Sequence, residues 1–344
     1  MSFSQPIISL TEAEAPFFWG VDIGGTNIKV GLVDERGRTL AFQSIHTDPS
    51  TKPHVACLRI AETCRSLAAN IALPFDSIAR GCLGAPGPIC LKRGMLLNPT
   101  NLPEWHQFPI QQAVAEAVGT DFSFINDANA AAFGEFWVGS GVDAESLVLL
   151  TLGTGVGGGI ISSGNLINGS NSFGSELGHV VVDSRPDARL CSWGGGRGQL
   201  EAYASASAVA LRAREAVAEG VQTSLSEIGM QGDPLSAKDV YLAAVAGDPF
   251  ALSLIDDTAR YLGIGITCAV HTVDPGLVVL GGAMNFGGHE CAVGGRFLQG
   301  ISDEFKSRTF ENVFHGTRIA FASLGGDAGY IGAAGIARQD YLAT

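Results

Sequence analysis

The stretch Phe17-Phe-Trp-Gly-Val-Asp-Ile-Gly-Gly-Thr-Asn-Ile-Lys-Val-Gly-Leu-Val-Asp34 decides how the rest of the chain is read. Two runs of β-forming residues, Phe17 to Ile23 and Ile28 to Val33, flank Gly24-Gly25. Paired glycines supply the backbone angles of a tight turn, so the stretch predicts two strands joined as a hairpin. Asp34-Glu-Arg-Gly37 predicts a further turn, with a third strand over Thr39 to Ser44. The first turn carries Thr26 and Asn27, with Asp22 just before it. There, backbone N–H groups and a hydroxyl can receive phosphate oxygens, and a carboxylate can face a metal ion. An ordinary Gly-Gly hairpin accounts for the same residues, and the stretch alone does not choose between the two.

The same plan returns later. Leu147-Val-Leu-Leu-Thr-Leu-Gly153 predicts a strand, Gly153-Thr154-Gly155-Val-Gly157-Gly-Gly159 a glycine turn, and Ile160-Ile161 a second strand, with Ser162-Ser-Gly-Asn165 turning into a third. Two such units imply a duplicated fold whose two phosphate loops face each other across a cleft. Neither loop has the G-x-x-x-x-G-K-[ST] spacing of a P-loop, and no G-x-G-x-x-G opens a βαβ unit, so both of those nucleotide folds are poor fits.

Composition narrows the partners. The 344 residues are enough for two domains, and the 46 glycines, about twice the usual share, sit in short clusters between apolar strands. The net charge of −13 comes with no basic stretch, which argues against nucleic acid or an anionic membrane as a partner. Seven cysteines without close paired spacing predict reduced thiols and a cytoplasmic protein. The first fifteen residues lack a basic region ahead of an apolar core, and no apolar run reaches membrane-spanning length.

Between the two hairpins, apolar residues at helical spacing predict a helix over Pro53 to Ile71, and Ile78 to Leu83 predicts a strand ending at Gly84-Ala-Pro-Gly-Pro88. Asn98-Pro-Thr-Asn-Leu-Pro-Glu-Trp105 is a loop whose amide groups suit a polyhydroxylated ligand, although Asn and Pro are common in any loop. Phe122 to Ile125 predicts a strand running into Asn126-Asp127 and an alanine-rich helix. Asp127 is either a helix cap or a general base. A helix N-terminus lowers a carboxyl pKa, so a base there would need desolvation to restore its basicity. Further on, helices are predicted from Glu201 to about Glu219, from Ala237 to Ala246 behind a Ser236/Asp239 capping box, and over Phe250 to His271, Arg296 to Ser307 and Gly329 to Ala337.

In this order, Asp22-Ile-Gly-Gly-Thr-Asn27, Asn126-Asp127-Ala-Asn-Ala-Ala, Leu152-Gly-Thr-Gly-Val-Gly-Gly-Gly159 and Glu176-Leu-Gly-His179 resemble the ROK family, bacterial sugar kinases and related repressors of the actin/hexokinase-like superfamily. Leu280-Gly-Gly-Ala283 and Leu324-Gly-Gly-Asp-Ala-Gly-Tyr-Ile-Gly332 extend the resemblance to about residues 18 to 338. It implies an α/β, two-domain actin-like ATPase fold (a duplicated ribonuclease H-like unit) with an interdomain cleft. The first domain would hold residues 17–125 and the helix 328–344, and the second residues 126–327.

The resemblance also implies roles. Asp22 would face Mg²⁺, with Gly24, Gly25, Thr26, Asn27 and Lys29 around the phosphates of ATP. Gly153, Thr154 and Gly155 would form the second phosphate loop, and Gly281 and Gly282 would lie near the adenosine. Asp127 would be the catalytic base, and Gly84, Asn101, Asn126, Asp127, Glu176, His179 and Glu201 would contact the sugar. A homodimer is expected. Zinc-binding relatives carry Cys-x-Cys-Gly-x-x-Gly-Cys-x-Glu after the Glu-x-Gly-His motif. Here the segment is Cys191-Ser-Trp-Gly-Gly-Gly-Arg-Gly-Gln-Leu-Glu201, with Trp193 and Gln199 where two thiolates would be, and no structural zinc is expected.

The activity so implied is ATP-dependent phosphorylation of a hexose, with glucose first and N-acetylglucosamine, N-acetylmannosamine, fructose and allose as alternatives. A sugar-sensing repressor of the same family would need a helix-turn-helix domain, and about sixteen residues precede the first strand. A non-catalytic sugar-binding protein would not need both Asp22 and Asp127.

Overall fold

The computed structural model describes residues 5–48, 50, 52–99, 102–192, 194–229 and 234–344. Asn101 and Trp193, both singled out by the sequence, lie outside the described residues. The opening stretch forms β1 (Phe17–Ile23) and β2 (Asn27–Val33), followed by β3 (Thr39–His46) and helix α1 (Pro53–Asn70). Next come β4 (Ile78–Ala85), a small ribbon of β5 (Ile89–Cys90) and β6 (Met95–Leu96), α2 (Ile110–Val118), β7 (Phe122–Asn126) and α3 (Asp127–Val138). The later copy of the plan gives β8 (Leu147–Leu152), β9 (Val156–Ser162) and β10 (Asn165–Leu166). The remainder is α4 (Glu201–Ala204), α5 (Ala206–Ala218), α6 (Leu225–Gly229), α7 (Ala237–Val245), α8 (Pro249–Val273), β11 (Leu277–Gly281), α9 (Ala292–Arg308), α10 (Glu311–Gly316), β12 (Arg318–Phe321) and α11 (Ala328–Leu342).

The two five-stranded sheets have the same order: β3-β2-β1-β4-β7 in one and β10-β9-β8-β11-β12 in the other. In the first, β1, β2 and β3 run antiparallel, while β4 and β7 run parallel to β1. In the second, β8, β11 and β12 are parallel and β9 pairs antiparallel with β10. The repeated glycine-turn plan is therefore a repeated sheet topology. The central strands β1 and β8 are almost wholly buried, as expected of apolar runs covered on both faces.

The chain forms two compact units: residues 1–144, 159–175 and 323–344, and residues 145–158 and 176–322. Helix α3 packs against α11 within the first unit. That packing is a glycine contact. A Cβ at Gly332 would overlap the carbonyl oxygen of Ala130, and one at Gly134 would overlap that of Ala328. The helix predicted from Glu201 to Glu219 is broken at Ser205, whose hydroxyl caps α5 by accepting from Ala208 N at 3.1 Å.

Alanine in a helix interior ordinarily gains about 1 kcal/mol over glycine. At Gly332 the overlap should outweigh that gain, so Gly332→Ala is expected to lose about 2 kcal/mol of stability. Gly295→Ala in α9, where an added Cβ meets nothing within 4 Å, is expected to gain about 0.5–1 kcal/mol. Urea unfolding of the two variants beside the parent protein measures both signs.

Candidate active site

Three parallel strands of the first unit end side by side, each at a residue the sequence singled out. Register pairs Asp22 of β1 with Gly84 of β4, and Ala85 of β4 with Asn126 of β7. Ligands of open α/β sheets gather at such carboxyl ends, where strand termini and helix N-termini leave N–H groups free to bind. A Cβ at Gly84 would lie 3.3 Å from the Ala130 methyl and 3.6 Å from Asp127 Cα, so the glycine brings β4 close to the start of α3.

The turn after β1 is closed by Gly24 N donating to Asn27 O at 2.9 Å. It is held from beyond β3 by Thr47, which donates its Oγ1 to Gly24 O and its N to Thr26 O, both at 2.8 Å. Thr26 and Asn27 themselves are exposed, with their side chains open to a ligand. Sequence reasoning missed Thr47, because its partners are more than twenty residues away and no local pattern marks it. Lys29 sits opposite Asp22 across the hairpin, and its ammonium donates to the carbonyl of Gly326.

Asp22 packs against the first turn of α11, where a Cβ at Gly329 would come within 2.5 Å of Asp22 Oδ2. Burial first, and then the charge of Asp127, push the Asp22 carboxyl up from 3.8 to about 6, while Lys29 pulls it down. The cap of α3 belongs to Asn126, whose Oδ1 accepts from Ala128 N at 3.0 Å and Asn129 N at 3.3 Å. Asp127 is the first residue of the helix, and its Oδ1 accepts from Ala128 N at 2.8 Å. Its pKa is nonetheless raised, because burial outweighs the N–H groups and the Asn126 amide that favour the ionised form. Desolvation thus wins over the helix N-terminus at Asp127.

In the second unit, β8 runs into the Gly153–Gly155 turn, closed by Gly153 N donating to Gly155 O at 3.0 Å. Gly153 O accepts from Ala206 N at 2.8 Å, and Val156 N donates to Glu201 Oε2 at 2.9 Å. Thr154 is exposed at the tip. Gly281 ends β11 in register with Thr151, and Gly282, at φ 88°, lies against the backbone of Leu152. The glycine pair therefore borders the strand that leads into the Gly153–Gly155 turn. Glu176 and His179 flank a 3₁₀ turn over Leu177–His179, with Oε2 and Nε2 3.8 Å apart. A Cβ at Gly178 would overlap the Val156 carbonyl, which seats this motif on the loop. Glu201 Oε1 also accepts from Cys191 Sγ at 3.3 Å and Ser192 Oγ at 3.0 Å, two donors that sequence reasoning did not assign.

The family model described as ROK matches residues 18–340 of this chain. The chain belongs to the ROK family. It is 35% identical to a glucokinase of Halalkalibacterium halodurans over 324 residues, 94% of this chain and 95% of that one. Among solved structures it resembles a ROK hexokinase from Thermus thermophilus, at 31% identity and a TM-score of 0.79, covering 96% of this chain and all of that one (100%). It also resembles a ROK family glucokinase from Streptomyces griseus in complex with glucose and AMPPNP, at 30% identity and a TM-score of 0.73, covering 94% of this chain and 100% of that one. The mixed α/β structure with its repeated sheet is the actin-like ATPase fold of these ROK sugar kinases.

The raised pKa of Asp22 has a sign that can be checked. The folded protein holds the Asp22 proton to about pH 6 and the unfolded chain only to about 3.8, so stability falls as pH rises through that window. Asp22→Asn removes the cost of ionisation. It is expected to stabilise the ligand-free protein by about 2 kcal/mol at neutral pH, with the gain vanishing below about pH 4. Chemical denaturation across that range, parent against variant, reads the difference.

Proposed function

We propose that this ROK protein is an ATP-dependent hexose kinase that converts glucose to glucose 6-phosphate. The observation that carries the reading is Asp127, a half-buried carboxylate of raised pKa that follows the end of β7 and whose charge acts on Asp22, in a chain whose relatives include glucokinases. As general base, Asp127 would take the proton of the sugar hydroxyl that attacks the terminal phosphate of ATP. Such proton transfer contributes about 10² to 10⁴-fold, the remainder coming from positioning and charge stabilisation.

Mg²⁺ fits the first unit. Asp22 is a half-buried acid raised by a second carboxylate and only partly offset by Lys29, the setting a divalent cation relieves. Asp22 would hold the ion, and the ion when bound would neutralise charge on the phosphates. Gly24, Gly25, Thr26, Asn27 and Lys29 would bind phosphate oxygens, and so would the N–H groups of Gly153, Thr154 and Gly155 and the Thr154 hydroxyl. Gly281 and Gly282 would leave room for the adenosine. Gly84, Asn101, Asn126, Glu176 and His179 would bind the sugar. Glu201 has already committed acceptor sites to Val156, Cys191 and Ser192, so about one of its four lone pairs is left for a sugar hydroxyl. A cytoplasmic homodimer belongs to the same reading.

The remaining members of the zinc motif do not fit zinc. The Cys191 thiol donates to Glu201, and Gln199 lies over Gly196, where an added Cβ would meet its Nε2 at 2.5 Å. No cluster of three or more His, Cys, Asp or Glu suited to a metal occurs among the described residues. The segment is instead held by backbone: Val182 N donates to Gly198 O at 2.8 Å, Gly198 N to Arg189 O at 2.9 Å, and Leu200 N to Val180 O at 2.9 Å. Protein stripped with EDTA and returned to Mg²⁺ is expected to recover full activity with no zinc by elemental analysis. Recovery only on zinc addition would reverse this part of the reading.

The activity is tested by ADP release on a panel of hexoses and N-acetylhexosamines, with glucose expected to give the highest kcat/KM. Asp127→Asn keeps a hydrogen-bonding group but cannot accept the proton. It is expected to lower kcat by at least about 10²-fold while sugar affinity stays within several-fold. A variant with the parent's kcat would leave Asp127 without the role of base.

A further inference from the structure

We propose that Glu201 is the strut that holds the Gly153–Val156 loop in its nucleotide-binding shape, and that Cys191 and Ser192 are positioning residues acting through it. The inference rests on the kinase reading above and adds residues to it.

The loop is gripped from one short segment of chain. Ala206 N donates to Gly153 O at 2.8 Å at one end, and Glu201 Oε2 accepts from Val156 N at 2.9 Å at the other. Between them Gly155 passes so close to Glu201 that an added Cβ would overlap Oε2. The loop therefore takes its shape from the position of one carboxylate. A glutamate side chain has several rotatable bonds, and a single hydrogen bond to a peptide N–H does not hold it in one rotamer. The second oxygen supplies the missing restraint. Oε1 accepts from the Cys191 thiol at 3.3 Å and from the Ser192 hydroxyl at 3.0 Å, which fixes the carboxylate plane and keeps Oε2 on Val156.

The two donors differ in kind. A thiol is a weak donor, but Cys191 is only 3% exposed and its bond is shielded from water. Ser192 donates more strongly from an exposed position, where water competes. Neither alone has the leverage of the pair. The sugar motif touches the same residue by a separate route, the close approach of Gly178 to the Val156 carbonyl, which does not pass through Glu201. Loosening Glu201 should therefore disturb the nucleotide loop first and leave the Glu176–His179 turn seated.

The test is the double variant Cys191→Ala/Ser192→Ala, read by steady-state kinetics and by calorimetric titration with MgATP. KM and Kd for ATP are expected to rise about three- to tenfold, with kcat within about twofold of the parent and a smaller rise in the glucose KM, since Glu201 grips the loop directly and keeps only about one site for the sugar. Cys191→Ser in the Ser192→Ala background, which restores a donor, should return ATP affinity to within about twofold. An equal rise in the glucose KM, an unchanged ATP affinity, or a Cys191→Ser variant no better than Cys191→Ala would overturn the proposal. Ser192→Ala alone, at an exposed position, carries the same test if the double variant does not fold. Absence of glucose turnover by the parent protein would count against the kinase reading, whereas the ATP titration reports on the loop with or without turnover.

Discussion

Helix α11 lies on strand β1 and helix α3 backbone to backbone, an approach that only hydrogen-sized side chains allow. A Cβ at Gly20 would overlap the Tyr330 carbonyl, one at Gly31 the Tyr330 ring, and one at Gly332 the Ala130 carbonyl. Close packing of this kind cannot absorb an extra methyl without shifting an element. The consequence reaches the site. With α11 pressed onto β1, its first turn meets the Asp22 carboxylate through Gly329, and the carbonyl of Gly326 receives the Lys29 ammonium. The same junction is tied by Glu135, wholly buried, whose carboxylate accepts from Ser140, Ser323 and Leu324. The last motif of the chain thereby becomes part of the wall around the first.

That wall holds two acids that destabilise one another. Asp22 and Asp127 are both raised, chiefly by burial, in a chain already carrying a net charge of −13. Folding stability is poorly served by this arrangement, and perturbed carboxylates grouped at strand ends are the usual sign of a working site. On the kinase reading the strain has a purpose: one acid awaits a cation, and the other is basic enough to take a proton.

In the second unit the backbone of one residue, Val156, is the meeting point. Val156 donates its N–H to Glu201 and presents its carbonyl to Gly178, so the Gly153–Gly155 turn and the Glu-x-Gly-His turn meet at one residue. Backbone hydrogen bonds, Val182 N to Gly198 O, Gly198 N to Arg189 O and Leu200 N to Val180 O, tie residues 180–200 together. Within that segment the Cys191 thiol donates to Glu201.

The sequence alone determined the two glycine-turn hairpins, the strands β4 and β7 and the duplication, because apolar runs and paired glycines act within a few residues of themselves, although Val156 to Gly159, read as turn, belong to β9. It also placed Asp22, Gly84, Asn126 and the Gly153–Gly155 loop at strand ends, since a strand's end is marked locally by the residues that stop it. Tertiary structure decided the rest. Asn126 rather than Asp127 caps α3, Ser205 breaks the long helix predicted from Glu201, and α3 belongs with the first unit. The grouping of α3 depends on α11, far along the chain, whereas the Asn126 and Ser205 caps use N–H groups two or three residues on, so local sequence offered the donors without saying which residue would take them. The direction of the Asp127 pKa is the clearest case. Local sequence supplies the helix N–H groups that lower it, but the desolvation that outweighs them comes from burial, which exists only once the chain has folded.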